Sequence, residues 1–134
     1  MSKTWKVPAG TEQRIARKVA DHGSQIRAGS TIANMTIVRA QGMGYPSGMS
    51  DMPVTSPING RILYWPGMDV GVVVRDGEAV FSIFSDQEWD DLREAVGSEV
   101  RSKMNFWPVR LTRQEFEAAI SALNQLTIMK LFGR

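Results

Sequence analysis

The fold is decided by residues 70–84, whose sequence is Val-Gly-Val-Val-Val-Arg-Asp-Gly-Glu-Ala-Val-Phe-Ser-Ile-Phe. Asp76 and Gly77 separate two apolar runs, and an Asp-Gly pair suits the positive φ angles of a type I′ turn. We therefore predict a two-residue β-hairpin at 76–77, in which residues 70–75 pair with residues 78–84. Both runs are apolar on both faces, which indicates a sheet with other elements packed over it.

Two helices are predicted downstream of this hairpin. Ser85 and Glu88 have the spacing of a capping box, and Thr112 and Glu115 repeat it. Each box is flanked by the apolar pair of a hydrophobic staple, namely Phe84 with Trp89 and Leu111 with Phe116. The apolar spacing predicts that the first helix buries Trp89, Leu92 and Val96, and that the last presents Phe116, Ile120, Leu123, Ile128, Leu131 and Phe132.

Upstream of the hairpin, Thr11 is an acceptable N-cap for another helix. The apolar face of this N-terminal helix would carry Ile15, Val19, His22 and Ile26. Residues 31–40 are rich in β-branched types and predict a strand, and residues 61–65 predict a shorter one.

The fold class predicted from these elements is α+β, in a single domain spanning residues 1–134. A small antiparallel sheet would contain residues 31–40, 61–65, 70–75 and 78–84. One N-terminal helix and two C-terminal helices would pack on it. Residues 41–60 would form a long irregular loop, because they contain three prolines and four glycines.

Catalytic chemistry is poorly represented in the sequence. The chain has no cysteine, which excludes a disulfide framework, a zinc ribbon and a thiol nucleophile. It has one histidine, His22, and no Gly-x-Ser-x-Gly elbow or phosphate-binding glycine loop. We expect a non-catalytic protein that binds no metal and no cofactor, with a glycosidase-like carboxylate pair as the remaining catalytic option.

Acidic side chains are concentrated after Ser85. A hard cation or acid–base chemistry would use such groups, but acidic residues at the start of a helix also favour its macrodipole. We interpret them as surface groups of the first turns; they are Asp86, Glu88, Asp90, Asp91 and Glu94.

Hydropathy predicts no membrane association. No apolar run approaches the ~18 residues of a membrane span. Residues 1–10 lack the apolar core of a signal peptide. We expect a cytoplasmic protein, or part of a particle assembled inside the cell.

The loop at 41–60 is the best candidate for contact with a partner. Methionine is pliable on binding surfaces, and tyrosine offers contact area with few rotors to order. The expected contact residues are Met43, Tyr45, Met49, Met52 and Trp65. The function predicted from them is a non-catalytic protein-binding or assembly module, a homo-oligomer or a small phage or bacterial accessory or regulatory protein.

Nucleic-acid binding is the alternative function, because basic residues are concentrated in the N-terminal half. Residues 1–68 contain eight Lys/Arg and three acidic residues, whereas residues 69–134 contain eight and eleven. Such an asymmetry indicates a charged partner or head-to-tail self-association. The residues that would contact nucleic acid are Lys3, Trp5, Lys6, Arg14, Arg17, Lys18 and Arg27.

Overall fold

A computed structural model describes residues 3–40 and 51–133, which form eight strands and two helices. The strands are β1 (Lys3–Lys6), β2 (Thr11–Lys18), β3 (Gln25–Ile26), β4 (Thr31–Ala40), β5 (Met52–Thr55), β6 (Gly60–Tyr64), β7 (Val73–Arg75) and β8 (Ala79–Phe84). The helices are α1 (Asp86–Asn105) and α2 (Arg113–Phe132).

The strands form two antiparallel sheets, so the prediction of one small sheet is wrong. Sheet A has the strand order β1-β8-β6-β3, and sheet B has the order β5-β4-β2-β7. The predicted strands at residues 31–40 and 61–65 correspond to β4 and β6. They belong to different sheets.

The hairpin predicted at Asp76-Gly77 is also wrong. The turn is present, since the Glu78 N–H donates to the Arg75 carbonyl at 3.1 Å, but β7 pairs with β2 while β8 pairs with β1 and β6. Gly77 has a φ of 77°, and no described residue other than glycine has a positive φ. A negative φ at Asp76 followed by a positive φ at Gly77 matches a type II turn. A type II turn does not have the twist that a two-residue hairpin needs between its strands. The chain therefore crosses from sheet B to sheet A at this turn.

The N-terminal helix predicted after Thr11 does not exist, because residues 11–18 form β2. Gln13 and Ile15 are buried while Arg14 between them is exposed, which is the two-residue alternation of a strand. Val19, assigned to the apolar face of that helix, is exposed. Pairing of β2 with β4 and β7 supplies the hydrogen bonds that a helix would have made internally.

The β-strands form two copies of one four-stranded unit. If four is added to each strand number of sheet A, with β1 counted after β8, the order β1-β8-β6-β3 becomes β5-β4-β2-β7. This is the order of sheet B. Hydrogen bonds repeat in the same way: the Gly29 N–H donates to the Ser56 carbonyl at 2.7 Å, and the Gly77 N–H donates to the Val7 carbonyl at 2.8 Å. The strand order and this hydrogen bond therefore repeat between residues 3–40 and residues 52–84.

The two C-terminal helices are confirmed, and they cover the outer face of sheet A. Both predicted capping boxes form, at Ser85 and at Thr112. Trp65 packs on Phe116 of α2 with ring centroids 4.8 Å apart. The backbone of α1 leaves the helical conformation at Gly97, where φ is 79° and ψ is 161°, so α1 consists of two helical segments.

The predicted irregular loop is shorter than expected. Met52–Thr55 forms β5, and Gly60 begins β6, so the stretch 51–60 is largely ordered by pairing. Gly60 is required where it lies, because a Cβ there would meet the backbone carbonyl of Phe84. Residues 41–50 lie outside the described residues.

Candidate protein-interaction surfaces

The last two turns of α2 carry an exposed apolar surface, which we call the tail patch. It consists of Ile128, Met129, Leu131 and Phe132, whose exposed fractions range from 44% to 80%. Leu131 continues the helix face of Ile120 and Thr127. Ile120 is buried against the rest of the protein, so α2 extends past its supporting core by about one turn.

A salt bridge holds the tail patch against α1. The Lys130 Nζ lies 2.8 Å from Asp91 Oδ1 and 2.8 Å from Glu94 Oε2. Asp91 is buried, and the hydrogen bond from Lys130 is the main cause that keeps the pKa of its carboxyl below the usual value, with Gln87 adding a second bond. The end of α2 is therefore attached to α1, and Ile128 and Phe132 lie on the side of α2 opposite Lys130.

A concave apolar surface lies at the opposite end of the helix pair, and we call it the head groove. Its cavity volume is about 280 Å³, and it lies where α1 ends and the chain turns toward α2. Phe106 is 67% exposed there. The lining residues are Ser102, Lys103, Phe106, Trp107, Pro108 and Arg110.

The sheet edges are poorly suited to binding another strand. The four edge strands are β1, β3, β5 and β7, which have four, two, four and three residues. Exposed Lys3 and Lys6 lie on β1, and Pro53 lies in β5. Short edges with lysine or proline discourage strand addition. Side-chain surfaces are therefore the better candidates for contact with another protein.

The predicted contact residues that the structure describes differ in burial. Met52 is half-buried on β5. Trp65 is 6% exposed, and its Nε1 donates to Ser82 Oγ at 2.9 Å, so its side chain belongs to the core rather than to a contact surface. Met43, Tyr45 and Met49 lie outside the described residues.

The predicted nucleic-acid-binding residues fall into separate regions. Lys3 and Lys6 are exposed on β1, and Trp5 between them stacks on Phe81 with ring centroids 5.8 Å apart. Arg27 is exposed in the turn between β3 and β4. No continuous surface among the described residues joins all seven.

Arg14 and Arg17 lie on the exposed outer face of sheet B. Val73, also exposed, is directly opposite Arg14 in the register of β7 and β2. Arg75 lies two residues further along β7 and is exposed as well. This face is basic at three positions, of which the sequence analysis identified two.

Lys18 is held inside an aromatic cluster. Its Nζ lies 3.5 Å from the centroid of the Trp107 ring and 4.5 Å from that of Tyr64, and 3.5 Å from Asp69 Oδ1. Desolvation lowers the pKa of Lys18, while Asp69 opposes that shift. Lys18 therefore connects β2 to the segment after α1 and is not available to nucleic acid.

The acidic residues after Ser85 do not form a cation site. Asp86, Asp90 and Glu94 are exposed, whereas Glu88 completes the capping box and Asp91 binds Lys130. Across residues 3–40 and 51–133, no group of three His, Asp or Glu side chains is arranged to hold a metal. The interpretation of these carboxylates as solvated surface groups is wrong for Glu88 and Asp91, which are buried.

The apolar residues of the tail patch are visible in the sequence, but their spacing does not tell whether they are buried or exposed. Residues 126–132, Leu-Thr-Ile-Met-Lys-Leu-Phe, are apolar around most of the helix. Such a segment is normally buried on several sides. Among residues 3–40 and 51–133, no part of the core buries Ile128, Met129, Leu131 and Phe132, and this is visible only in the structure.

Comparison with models of protein families gives no match for this chain, and comparison with curated proteins gives none. Within the described ranges, neither helix is both long and apolar enough to cross a membrane.

Proposed function

We propose that this chain is a non-catalytic protein-binding or assembly module, and that the tail patch is the surface where a protein partner binds. One observation carries the proposal: four neighbouring apolar side chains at the end of α2 are exposed although a salt bridge fixes the helix that bears them. Exposed apolar patches that are contiguous typically mark interaction sites. A rigid helix end also loses little conformational entropy on binding.

The size of the tail patch is sufficient for a modest affinity. Complete burial of one Leu, Ile, Met or Phe side chain stabilises a complex by about 1.5–3 kcal/mol. Association costs about 4–15 kcal/mol in lost translational and rotational freedom. Because the four side chains are 44–80% exposed, burying them would contribute about 4–8 kcal/mol, which is comparable to the lower end of that cost. Charged groups at the rim would contribute to specificity.

The test is affinity capture from the source cell with a tail variant, Leu131→Ser combined with Phe132→Ser. Both side chains are more than two-thirds exposed, so the free energy of unfolding should change by no more than about 0.5 kcal/mol per substitution. The matched control is Val70→Ser, which removes an apolar side chain that is 57% exposed and lies outside the patch. We expect the tail variant to lose a specific protein that the wild type and the control retain.

Two further outcomes of the same capture are informative. Retention of every partner by the folded tail variant would refute the tail patch as the site, and replacement of residues 43–50 by a Gly/Ser linker, which leaves β5 intact, would then test the loop. Capture of nucleic acid, with loss on replacing Arg14 and Arg17 by Glu and with a steep salt dependence, would support the alternative function on sheet B.

A further inference from the structure

The two ends of the α1–α2 pair have complementary shapes. The tail patch is convex, since Phe132 is 80% exposed on the last turn of α2. The head groove is concave and apolar, with Phe106, Trp107 and Pro108 in its lining. We propose that the head groove of one copy of this chain receives the tail patch of a second copy. The inference rests on the proposed function and names the partner.

The size of the head groove fits side chains better than a small-molecule ligand. Its volume of about 280 Å³ lies at the lower limit of the ~300–1,000 Å³ of typical ligand pockets. One aromatic and one aliphatic side chain, such as Phe132 and Leu131, are an appropriate occupant. The groove is also open along one side, where Phe106 is exposed.

The charged side chains that line the head groove are opposite in sign to the net charge around the tail patch. Lys103 and Arg110 line the head groove and are exposed, and Lys103 is also paired with Glu99 on α1 at 3.6 Å. The end of the helix pair that carries the tail patch contains Asp86, Asp90, Asp91 and Glu94 against Arg93 and Lys130. Opposite charge favours a head-to-tail contact, and like charge disfavours the pairing of two tails.

The geometry requires two molecules. A helix of 20 residues is about 30 Å long, and α2 separates the two surfaces. One chain therefore cannot place its own tail in its own groove. Contact between two different surfaces leaves one tail and one groove free in a dimer, so the assembly continues as a chain or closes as a ring.

The predicted association is weak, because a few side chains make an interface smaller than the ~1,200 Å² of stable complexes. Sedimentation equilibrium from about 10 μM to about 1 mM covers the corresponding range of dissociation constants. We expect the mass of the wild type and of Val70→Ser to rise with concentration. The tail variant and a head variant, Phe106→Asp, should each remain monomeric, with a dissociation constant at least about tenfold higher.

A mixture of the two variants gives the decisive measurement. The tail variant keeps an intact groove, and the head variant keeps an intact tail. Mixed one to one, they should form a dimer of one copy of each and nothing larger, because both remaining surfaces are disabled. Circular dichroism melting of each variant confirms that it is folded, since Phe106, Leu131 and Phe132 are all exposed.

Three results would overturn the inference: a wild type that is monomeric at about 1 mM, a variant that associates like the wild type, or a mixture that stays monomeric. Association that only the tail variant abolishes would indicate a tail-to-tail contact instead. If the wild type is monomeric while the tail variant loses a captured protein, the proposed function stands and only the second-copy assignment fails.

Discussion

His22 is the residue whose surroundings specify one protonation state. Its Nδ1 accepts the Tyr64 backbone N–H at 2.9 Å, so the proton of the neutral ring is on Nε2. That Nε2 donates to the Met104 carbonyl at 2.7 Å. Burial lowers the pKa of His22, Lys18 lowers it further, and the bond to Met104 opposes them. The ring thereby connects β6 to the end of α1.

This geometry predicts that mild acid destabilises the protein. Above pH ~6.5 the ring is neutral in both the folded and the unfolded chain. As the pH falls below that value, the unfolded chain gains a proton that the folded chain does not, so the free energy of unfolding decreases until the lowered pKa is reached. Urea denaturation between pH 7.5 and pH 5 measures the decrease.

The control for this prediction is His22→Asn, which does not titrate. Asp69, Asp91 and Glu115 also have a lowered pKa, but their contributions are lost only below the ordinary carboxyl range of ~4. The slope between pH 6.5 and pH 5 should therefore disappear in His22→Asn. An identical slope in both proteins would contradict the assignment.

At the scale of elements, a salt bridge joins the end of α2 to the start of α1. Lys130 binds two carboxylates, and Asp91 is almost completely buried. A second pair on α1, Lys103 with Glu99, is separated by 3.6 Å and is exposed on both sides. Exposed pairs of this kind contribute little, whereas removing the partner of a buried charge is costly.

We therefore predict that Lys130→Ala lowers the urea midpoint more than Lys103→Ala does. The physical reason is that Asp91 would keep a buried carboxylate that has lost its ion pair and retains the hydrogen bond from the Gln87 side chain. The comparison is made at pH 7, where the carboxylates are ionised. Equal midpoints for the two variants would show that Asp91 is adequately solvated without Lys130.

The helices could be predicted from sequence because their start signals are local. Each capping box joins two residues that are three positions apart, Ser85 with Glu88 and Thr112 with Glu115. In each box, either side chain accepts a hydrogen bond from the backbone N–H of the other residue, so no distant partner is needed. The apolar pair Ile15 and Val19 gave a false helical pattern upstream. In the structure these residues form a strand that buries Gln13 and Ile15. The backbone hydrogen bonds of this strand are made with β4 and β7 on either side of it.

At the scale of the whole molecule, the two sheets have unequal protection. Helix α1 packs against β6 and β8 of sheet A, and every residue of β8 is buried. Sheet B is exposed on its outer face at Arg14, Val73 and Arg75. Its edge strands β5 and β7 alternate between buried or half-buried and exposed residues.

This difference predicts the order of amide hydrogen exchange. Peptides that cover β6 and β8 should exchange most slowly, because their amides open only when the helices leave sheet A. Peptides that cover β5 and β7 should exchange at least about tenfold faster, since local fraying exposes them. Mass spectrometry of the wild type at pH 7 measures both sets. Equal protection of the two sheets would indicate that they open as one unit.

The exposed apolar surfaces could not be found from residue patterns, because exposure is a property of the whole molecule. Trp65 and Phe132 are both aromatic residues beside a turn or helix end, yet Trp65 is buried under α2 and Phe132 is exposed. Residues 128–132 of α2 are all exposed, whereas Ile120 and Leu123 of the same helix are buried. No local signal in residues 126–132 reports whether another part of the protein covers them.

The sequence by itself determined the two C-terminal helices, several strands and the Asp76-Gly77 turn, since capping, β-branched runs and a glycine with positive φ act over a few residues. Only the tertiary structure decided which strands pair. β7 and β8 are adjacent in sequence, but β7 bonds to β2 and β8 bonds to β1 and β6. A strand leaves its backbone groups to be satisfied by whichever strand packs beside it, and burial of the whole core selects that neighbour.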